Sequence, residues 1–246
     1  MRKILVVNDD GIAAEGIAVL ASLAKRFGEV YVVAPAEQNS AMSQRIIIHS
    51  DFHVREVSFP VADVKAWSLD GTPADCVKHG INAILGFRPD LVFSGINFGY
   101  NAGIDILYSG TVGACMEALV QGIPAIAYSL DKVHDYRVPE KYFDSITERL
   151  LETRVAKNEI FSVNFPGCAP ENVRGVMDDV PPTPREERKP VRYRLADEPD
   201  GSRRLTIEEF YSAKWEEGTD LWALSQGYIT VQKLRNMVIP PEGAAR

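Results

Sequence analysis

Two adjacent carboxylates close the apolar run Lys3-Ile-Leu-Val-Val-Asn-Asp-Asp-Gly11, with a glycine directly behind them. Neighbouring carboxylates repel, so a site that keeps Asp9 and Asp10 ionised needs a cation or strong donors beside them. Hard divalent ions such as Mg²⁺ suit oxygen ligands of this kind. A plainer reading makes Asp10-Gly11 a turn and Asp9 the cap of the next helix. A second cluster, Ser109-Gly110-Thr111, puts two hydroxyls and free backbone N–H groups at what reads as a helix start, where the dipole favours a phosphate. Its plainer reading is a Ser/Thr cap with a glycine for close packing. Ser40 and Asn97 add neutral oxygens, although asparagine alone also fits a turn. Together, an acidic pair, neutral oxygens and an anion cradle match a metal held between carboxylates and a phosphate, a recurrent arrangement for phosphoryl chemistry.

The surrounding pattern explains how these residues come together. Residues 4–8 have the length of one buried strand, and their Val-rich, non-alternating character suits a parallel sheet covered on both faces. Asp9 and Asp10 then fall at the strand's carboxyl end, where open α/β sheets bind ligands. Residues 15–27 carry Ile17, Leu20, Ala21 and Ala24 at helical spacing and stop at Gly28, and residues 29–34 form a second strand. That is a β-α-β start with a right-handed connection. The polar stretch 35–43, with Ser40 inside it, follows as a loop on the same rim.

Residues 45–49, 53–59 and 65–69 are expected as strands that depart from the β-α repeat, arranged as an inserted hairpin. Helix punctuation is strong from Thr72 as cap through Pro73 and Asp75 to Gly86. Residues 91–95 make another buried strand, and a glycine- and asparagine-rich loop bearing Asn97 leads on towards the 108–122 turn and helix. Strands at 124–129 and 160–164 and a helix at 142–151 complete a three-layer, doubly wound, mostly parallel α/β sheet of Rossmann-like type over residues 1–170.

Residues 171–246 form a C-terminal extension of hairpin, helix and final strand. It opens with a proline-rich, charged linker at 181–190, followed by runs at 191–195 and 204–208 around the turn Glu198-Pro-Asp-Gly-Ser202. A lone hairpin is marginal in water, and Phe210, Tyr211, Trp215, Trp222 and Tyr228 are costly to expose. The extension is therefore expected to pack on its own core or on a partner subunit.

Composition narrows the function classes. With 46% hydrophobic and 25% charged residues the chain reads as an ordinary globular protein, and its net charge of −7 argues against binding long nucleic acid. No apolar run approaches the roughly 20 residues of a membrane span, and the N-terminus lacks signal-peptide features, so a cytoplasmic location is expected. Cys76, Cys115 and Cys168 lack zinc or redox spacing and read as buried, reduced thiols. His49, His53, His79 and His134 read as structural or surface residues.

The motifs Asn8-Asp-Asp-Gly11, Ala34-Pro35 with Ser40 after it, Asp70-Gly-Thr-Pro-Ala-Asp-Cys-Val77, Ser94-Gly-Ile-Asn-Phe-Gly-Tyr-Asn-Ala-Gly103 and Tyr108-Ser-Gly-Thr-Val112 stand in an order and spacing that resemble the SurE nucleotidases. The resemblance runs on through Val163-Asn-Phe-Pro166 and the stretch from Gly218 to Val231. It implies a metal-dependent phosphatase of nucleoside 5′-monophosphates, with one divalent ion per subunit, Mg²⁺ or Mn²⁺, on Asp9, Asp10, Ser40 and Asn97. In that scheme Asp9, Asp10 and Asn97 are catalytic, and Asn97, Ser109, Gly110 and Thr111 hold phosphate. The resemblance also favours a homodimer or homotetramer built through the extension.

Two places depart from the family pattern: the Ser40 loop is poor in glycine, with Ser43 as an alternative ligand, and the last strand reads Thr230-Val-Gln where Thr-Pro-Leu is usual. A receiver-type signalling module is the first rival, but it needs an acceptor aspartate after the 91–95 strand, where Ser94-Gly-Ile-Asn97 stands. A haloacid dehalogenase-type hydrolase needs its two aspartates separated by one residue. A non-catalytic nucleotide- or phosphate-binding module leaves the acidic pair unexplained.

Overall fold

The computed structural model describes residues 1–153, 155–184, 191–209 and 215–240. Lys3–Val7 forms strand β1, buried from Ile4 onwards, and Glu15–Ala24 forms helix α1. Then come β2 (Glu29–Pro35), β3 (Val54–Val57), β4 (Lys65–Leu69) and α2 (Pro73–His79). The second half of the core contributes β5 (Leu91–Phe98), α3 (Gly110–Val120), β6 (Ala125–Leu130), α4 (Arg137–Glu152) and β7 (Glu159–Phe165). Beyond it lie β8 (Gly175–Asp178), the strands β9 (Val191–Asp197) and β10 (Arg203–Glu209), helix α5 (Asp220–Ser225) and β11 (Tyr228–Arg235).

The main sheet runs β3-β4-β2-β1-β5-β6-β7-β11-β8. Strands β4, β2, β1, β5, β6 and β7 are parallel, so the expected doubly wound α/β architecture is present, with β1 seated between β2 and β5 where the strand order reverses. Each sheet face has its own apolar core. One gathers Ile4, Val6, Ile17, Leu20, Phe93, Tyr128 and Phe143 with α1 and α4, and the other gathers Leu5, Val7, Val77, Val92, Cys115 and Ile160 with α2 and α3. Alternate residues of β1 thus serve opposite cores, which is why its sequence shows no polar alternation.

Several expected elements need correcting. Residues 45–49 form no strand; the backbone there is held at discrete points, as where the Asp75 carboxylate accepts the Ile47 N–H at 3.1 Å. Strands β3 and β4 do form the expected antiparallel hairpin, and because β4 also pairs in parallel with β2 the hairpin is part of the main sheet, with β3 at its edge. Helix α1 ends at Ala24, short of the expected residue 27. Helix α4 starts at Arg137, five residues before the expected boundary, because Pro139 lies in the first turn, where its missing N–H removes no helical bond. The helix after Thr72 stops at His79 and continues as a π-helical turn over Gly80–Ile84. The Thr72 cap is present with its reciprocal partner: the Thr72 hydroxyl accepts the Asp75 N–H, and the Asp75 carboxylate accepts the Thr72 N–H at 3.0 Å.

Past residue 170 the chain does two different things. Strand β11 inserts between β7 and β8, antiparallel to the first and parallel to the second, so that part completes the core sheet. Strands β9 and β10 form a separate two-stranded ribbon. Tyr193 lies opposite Ile207, and Leu195 opposite Leu205, which lines all four exposed apolar side chains along one ribbon face. Of the expected linker and aromatics, residues 185–190, Phe210 and Tyr211 lie outside the described residues. Trp222 stacks on Tyr228 at a centroid separation of 6.5 Å.

The fully buried Asp220 carboxylate fastens this tail to the core. It accepts the Gly103 N–H at 2.7 Å, the Thr183 N–H at 2.8 Å, the Thr183 hydroxyl at 2.7 Å and the Leu221 N–H at 2.7 Å. Replacing Asp220 with Ala strands these donors away from water, at about 1–3 kcal/mol for an unsatisfied buried group. Urea unfolding should therefore show a loss of about 2 kcal/mol or more. A loss under about 1 kcal/mol would mean that the network does not hold the tail.

Candidate active site

An open cavity of about 370 Å³ lies at the carboxyl edge of the sheet and is lined by Asp9, Ser40, Ala41, Asn97, Phe98, Asn101, Asp105, Tyr108 and Ser109. Asp9 arrives from the end of β1, Asn97 and Phe98 from the end of β5, and Ser109 from the cap of α3, where its hydroxyl accepts the Val112 N–H at 3.0 Å. Strand β5 runs three residues past the expected boundary. Its register against β6 shifts between Ser94 and Asn97, a bulge-like step of the kind that re-aims a side chain at a strand tip. Asn97 donates its side-chain N–H to the Gly99 carbonyl at 2.8 Å, which leaves its own carbonyl oxygen as the acceptor available to a ligand.

Asp10 joins the cluster through hydrogen bonds. Its Oδ2 accepts the Phe98 backbone N–H at 3.0 Å, and its Oδ1 takes a long bond of 3.4 Å from the Gln38 amide, which also donates to Ser40 Oγ at 3.0 Å. The 35–43 loop is pinned at its middle by the Asn39 N–H on the Asp9 carbonyl at 2.7 Å and at its end by the Ser43 N–H on the Tyr108 carbonyl at 2.9 Å. Ser43 spends its hydroxyl on the Leu107 carbonyl at 2.7 Å, whereas Ser40 lines the cavity.

Asp9 is only 4% exposed. Burial, reinforced by the negative charge of Asp10, pushes its carboxyl up from an ordinary 3.8 to about 6, even though the Thr111 hydroxyl donates to Oδ1 at 2.6 Å and holds it down. Helix α3 can come this close because position 110 lacks a side chain: a Cβ there would stand 2.8 Å from the Asp9 Cβ. One turn later, a Cβ at Gly113 would collide with the Ser43 carbonyl, so the same bare helix face admits the loop that carries Ser40. Beside the pair, Asn8 donates to the Gly11 carbonyl at 2.9 Å, and its buried Oδ1 has no hydrogen-bond partner.

The structure thus brings Asp9, Ser40, Asn97 and Ser109 to one cavity, with Asp10, Gly110 and Thr111 attached through Asp9 or Phe98. Thr111 sends its hydroxyl proton to Asp9, so it orients a carboxylate instead of offering that proton to an anion. Sequence reading missed Gln38 and the Phe98 backbone, since neither residue type advertises a hydrogen bond to a carboxylate. It also set aside His134, which is exposed and stacks on the cavity-lining ring of Phe98 with centroids 4.6 Å apart.

With this geometry in view, the comparison with known families is direct: a family model described as survival protein SurE matches residues 4–185. The chain belongs to the SurE family. Among SurE relatives, a protein of Pelotomaculum thermopropionicum named 5′-nucleotidase SurE is 37% identical over 241 residues, covering 93% of this chain and 87% of its own. One of Thermus thermophilus named 5′-nucleotidase SurE 1 is 39% identical over 235 residues, covering 93% and 90%. The crystal structure of a SurE protein from Aquifex aeolicus superposes with a TM-score of 0.81 at 33% identity, covering 95% of this chain and 93% of that one.

The SurE site's donors are suited to a hard cation. Among the described residues no three His, Cys, Asp or Glu side chains gather into one metal-binding cluster, so an ion here draws on hydroxyl and amide oxygens as well as the two carboxylates. That all-oxygen set fits Mg²⁺ or Mn²⁺, and a buried Asp9 beside Asp10 is a pair whose charge such an ion would offset.

A raised carboxyl carries a stability sign. Below its ordinary 3.8, Asp9 is protonated folded or unfolded and costs nothing, whereas above about 6 it is ionised in both states and the burial penalty is complete. In EDTA, Asp9→Asn should therefore be more stable than the parent at pH 8, by at most about 3 kcal/mol, with the gain shrinking towards pH 4. Urea unfolding at both pH values measures this. A variant less stable than the parent at pH 8 would show that the buried charge is not what limits the metal-free fold.

Proposed function

We propose that this protein is a metal-dependent phosphatase that hydrolyses nucleoside 5′-monophosphates to nucleoside and phosphate. The observation that carries the reading is the cavity at the β1/β5 reversal, where a buried carboxylate, a hydroxyl, an amide and a helix cap face one space. The names carried by the SurE relatives support it.

Asp9, Asp10, Ser40 and Asn97 would hold one divalent ion, Mg²⁺ or Mn²⁺. When bound, such an ion polarises a phosphate oxygen and acidifies water. Ser109, whose oxygen already accepts the Val112 N–H, keeps its own proton to donate to a phosphate oxygen. Gly110 adds a backbone N–H at the first position of α3, where no earlier carbonyl of the helix can claim it. Asn97 touches both ion and phosphate in this scheme, while Thr111 steadies Asp9 and borders the phosphate from the first helical turn. The helix dipole favours the charge that builds on the phosphoryl oxygens, and one of the paired carboxylates takes the attacking water's proton.

The apolar ribbon face of Tyr193, Leu195, Leu205 and Ile207 supports a further reading, that the extension after residue 170 joins subunits into a homodimer or homotetramer. Free Cys76, Cys115 and Cys168 are consistent with work in the reducing cytoplasm.

Phosphate release from a panel of nucleoside monophosphates tests the activity. Turnover should vanish in EDTA, return with Mg²⁺ or Mn²⁺, and fall at least about a hundredfold in Asp10→Asn, the scale typical of removing a group that acts on the transition state. Turnover that persists unchanged in EDTA contradicts the metal-dependent reading. Light scattering tests the assembly: a mass at least twice 27.2 kDa is expected, and a concentration-independent 27.2 kDa species rules out the oligomer.

A further inference from the structure

Phe98 is an unusual residue to find at the rim of a polar cavity. The last residue of β5, it is 37% exposed and lines the cavity with Asp9, Ser40 and Asn97. Its backbone N–H is fixed on Asp10 Oδ2 at 3.0 Å, so its ring is anchored beside the proposed metal ligands. One ring face is covered by His134, nearly parallel at 22° with centroids 4.6 Å apart. His134 is steadied in turn by Glu15 at the start of α1, whose Oε2 lies 3.4 Å from Nδ1. The ring is held in place from one side, yet it remains exposed on the cavity side. Neither core packing nor phosphate chemistry calls for an aromatic there.

We propose that the exposed ring of Phe98, backed by His134, is the platform on which the nucleobase of the substrate stacks. The inference rests on the phosphatase reading for the same site and names what binds beyond the phosphate. In a nucleoside 5′-monophosphate only the ribose separates phosphate from base. Phe98 is the neighbour of Asn97 and its N–H bonds the proposed ion ligand Asp10, so a phosphate held at Asn97 and Ser109 leaves its base within reach of the ring. Stacking uses the π-face that every base has, so the platform tolerates all four bases and favours purines, which overlap it more. A ring that merely pinned the bend before α4 would affect every substrate alike. A base platform affects only substrates that carry a base.

The test compares adenosine 5′-monophosphate with ribose 5-phosphate, which shares everything except the base. Phe98→Leu keeps apolar bulk and removes the π-face, and Phe98→Trp restores it. The ratio of kcat/KM for the nucleotide over the sugar phosphate should fall about tenfold or more in Phe98→Leu, mainly through the KM of the nucleotide, and should recover in Phe98→Trp. An unchanged ratio in Phe98→Leu, or equal losses on both substrates, overturns the platform. Should the parent protein hydrolyse neither compound, the phosphatase reading fails separately. Calorimetric affinities for the same two compounds then decide the platform by the same ratio, and absence of nucleotide binding overturns it.

Discussion

A carboxylate that is almost fully buried at the end of a central strand is the constraint around which this site is built. Asp9 is 4% exposed and adjoins a second carboxylate, so the fold bears both a desolvation cost and a repulsion at one point. The chain offsets part of this locally. The Thr111 hydroxyl bonds Asp9 directly, and the positive end of α3 is brought against it by the absence of a side chain at position 110. The remainder of the charge is left unmatched within the described residues. A structure that holds two negative groups together and matches only part of their charge is arranged to receive a cation.

Topology decides which side chains meet at this cavity. With β2 on one side of β1 and β5 on the other, the chain leaves these strands towards opposite faces, and a crevice opens between the departing segments. Asp9 and Asp10 leave β1 on the floor of this crevice, the 35–43 loop comes from β2, and Asn97 and Phe98 come from β5. No two of these groups need be close in sequence, because the parallel register places the strand ends together. The loop is positioned by contacts with the end of β1 and the segment before α3, so the Ser40 oxygen depends on backbone bonds at Asn39 and Ser43.

How much of this could be read in the sequence follows from how local each cause is. Asp9 and Asp10 were legible because an apolar run ending in two carboxylates is a local statement about a strand tip. The Thr72–Asp75 capping box and the Ser109 cap were legible for the same reason, since a cap is satisfied within four residues. Residues 45–49 were misread because their pattern suits a strand, whereas the fold bonds them to the start of α2, with the Arg45 carbonyl accepting the Thr72 hydroxyl and the Ile47 N–H on Asp75, and strand pairing is a property of the whole sheet. The true end of β5 and the start of α4 were missed because a bulge and a tolerated first-turn proline look like boundaries in sequence. The role of Thr111 was out of reach altogether: one hydroxyl proton can serve a phosphate or a carboxylate, and only the approach of α3 to β1 decides which.

The tail is the clearest case of a segment whose sequence position misleads. Strand β11 is the last strand among the described residues, yet it lies between β7 and β8 and makes ladders with both. Asp220, next to it in sequence, accepts the N–H of Gly103, where the short 3-10 helix Gly103–Leu107 begins. That helix leads through Tyr108 into Ser109, and Asp105 within it lines the cavity. Loss of the Asp220 acceptor would therefore free the cavity wall as well as the tail. Strand β11 and helix α5 thus belong to the scaffold of the site, whereas the β9–β10 ribbon pairs with no strand of the main sheet and keeps its apolar face exposed.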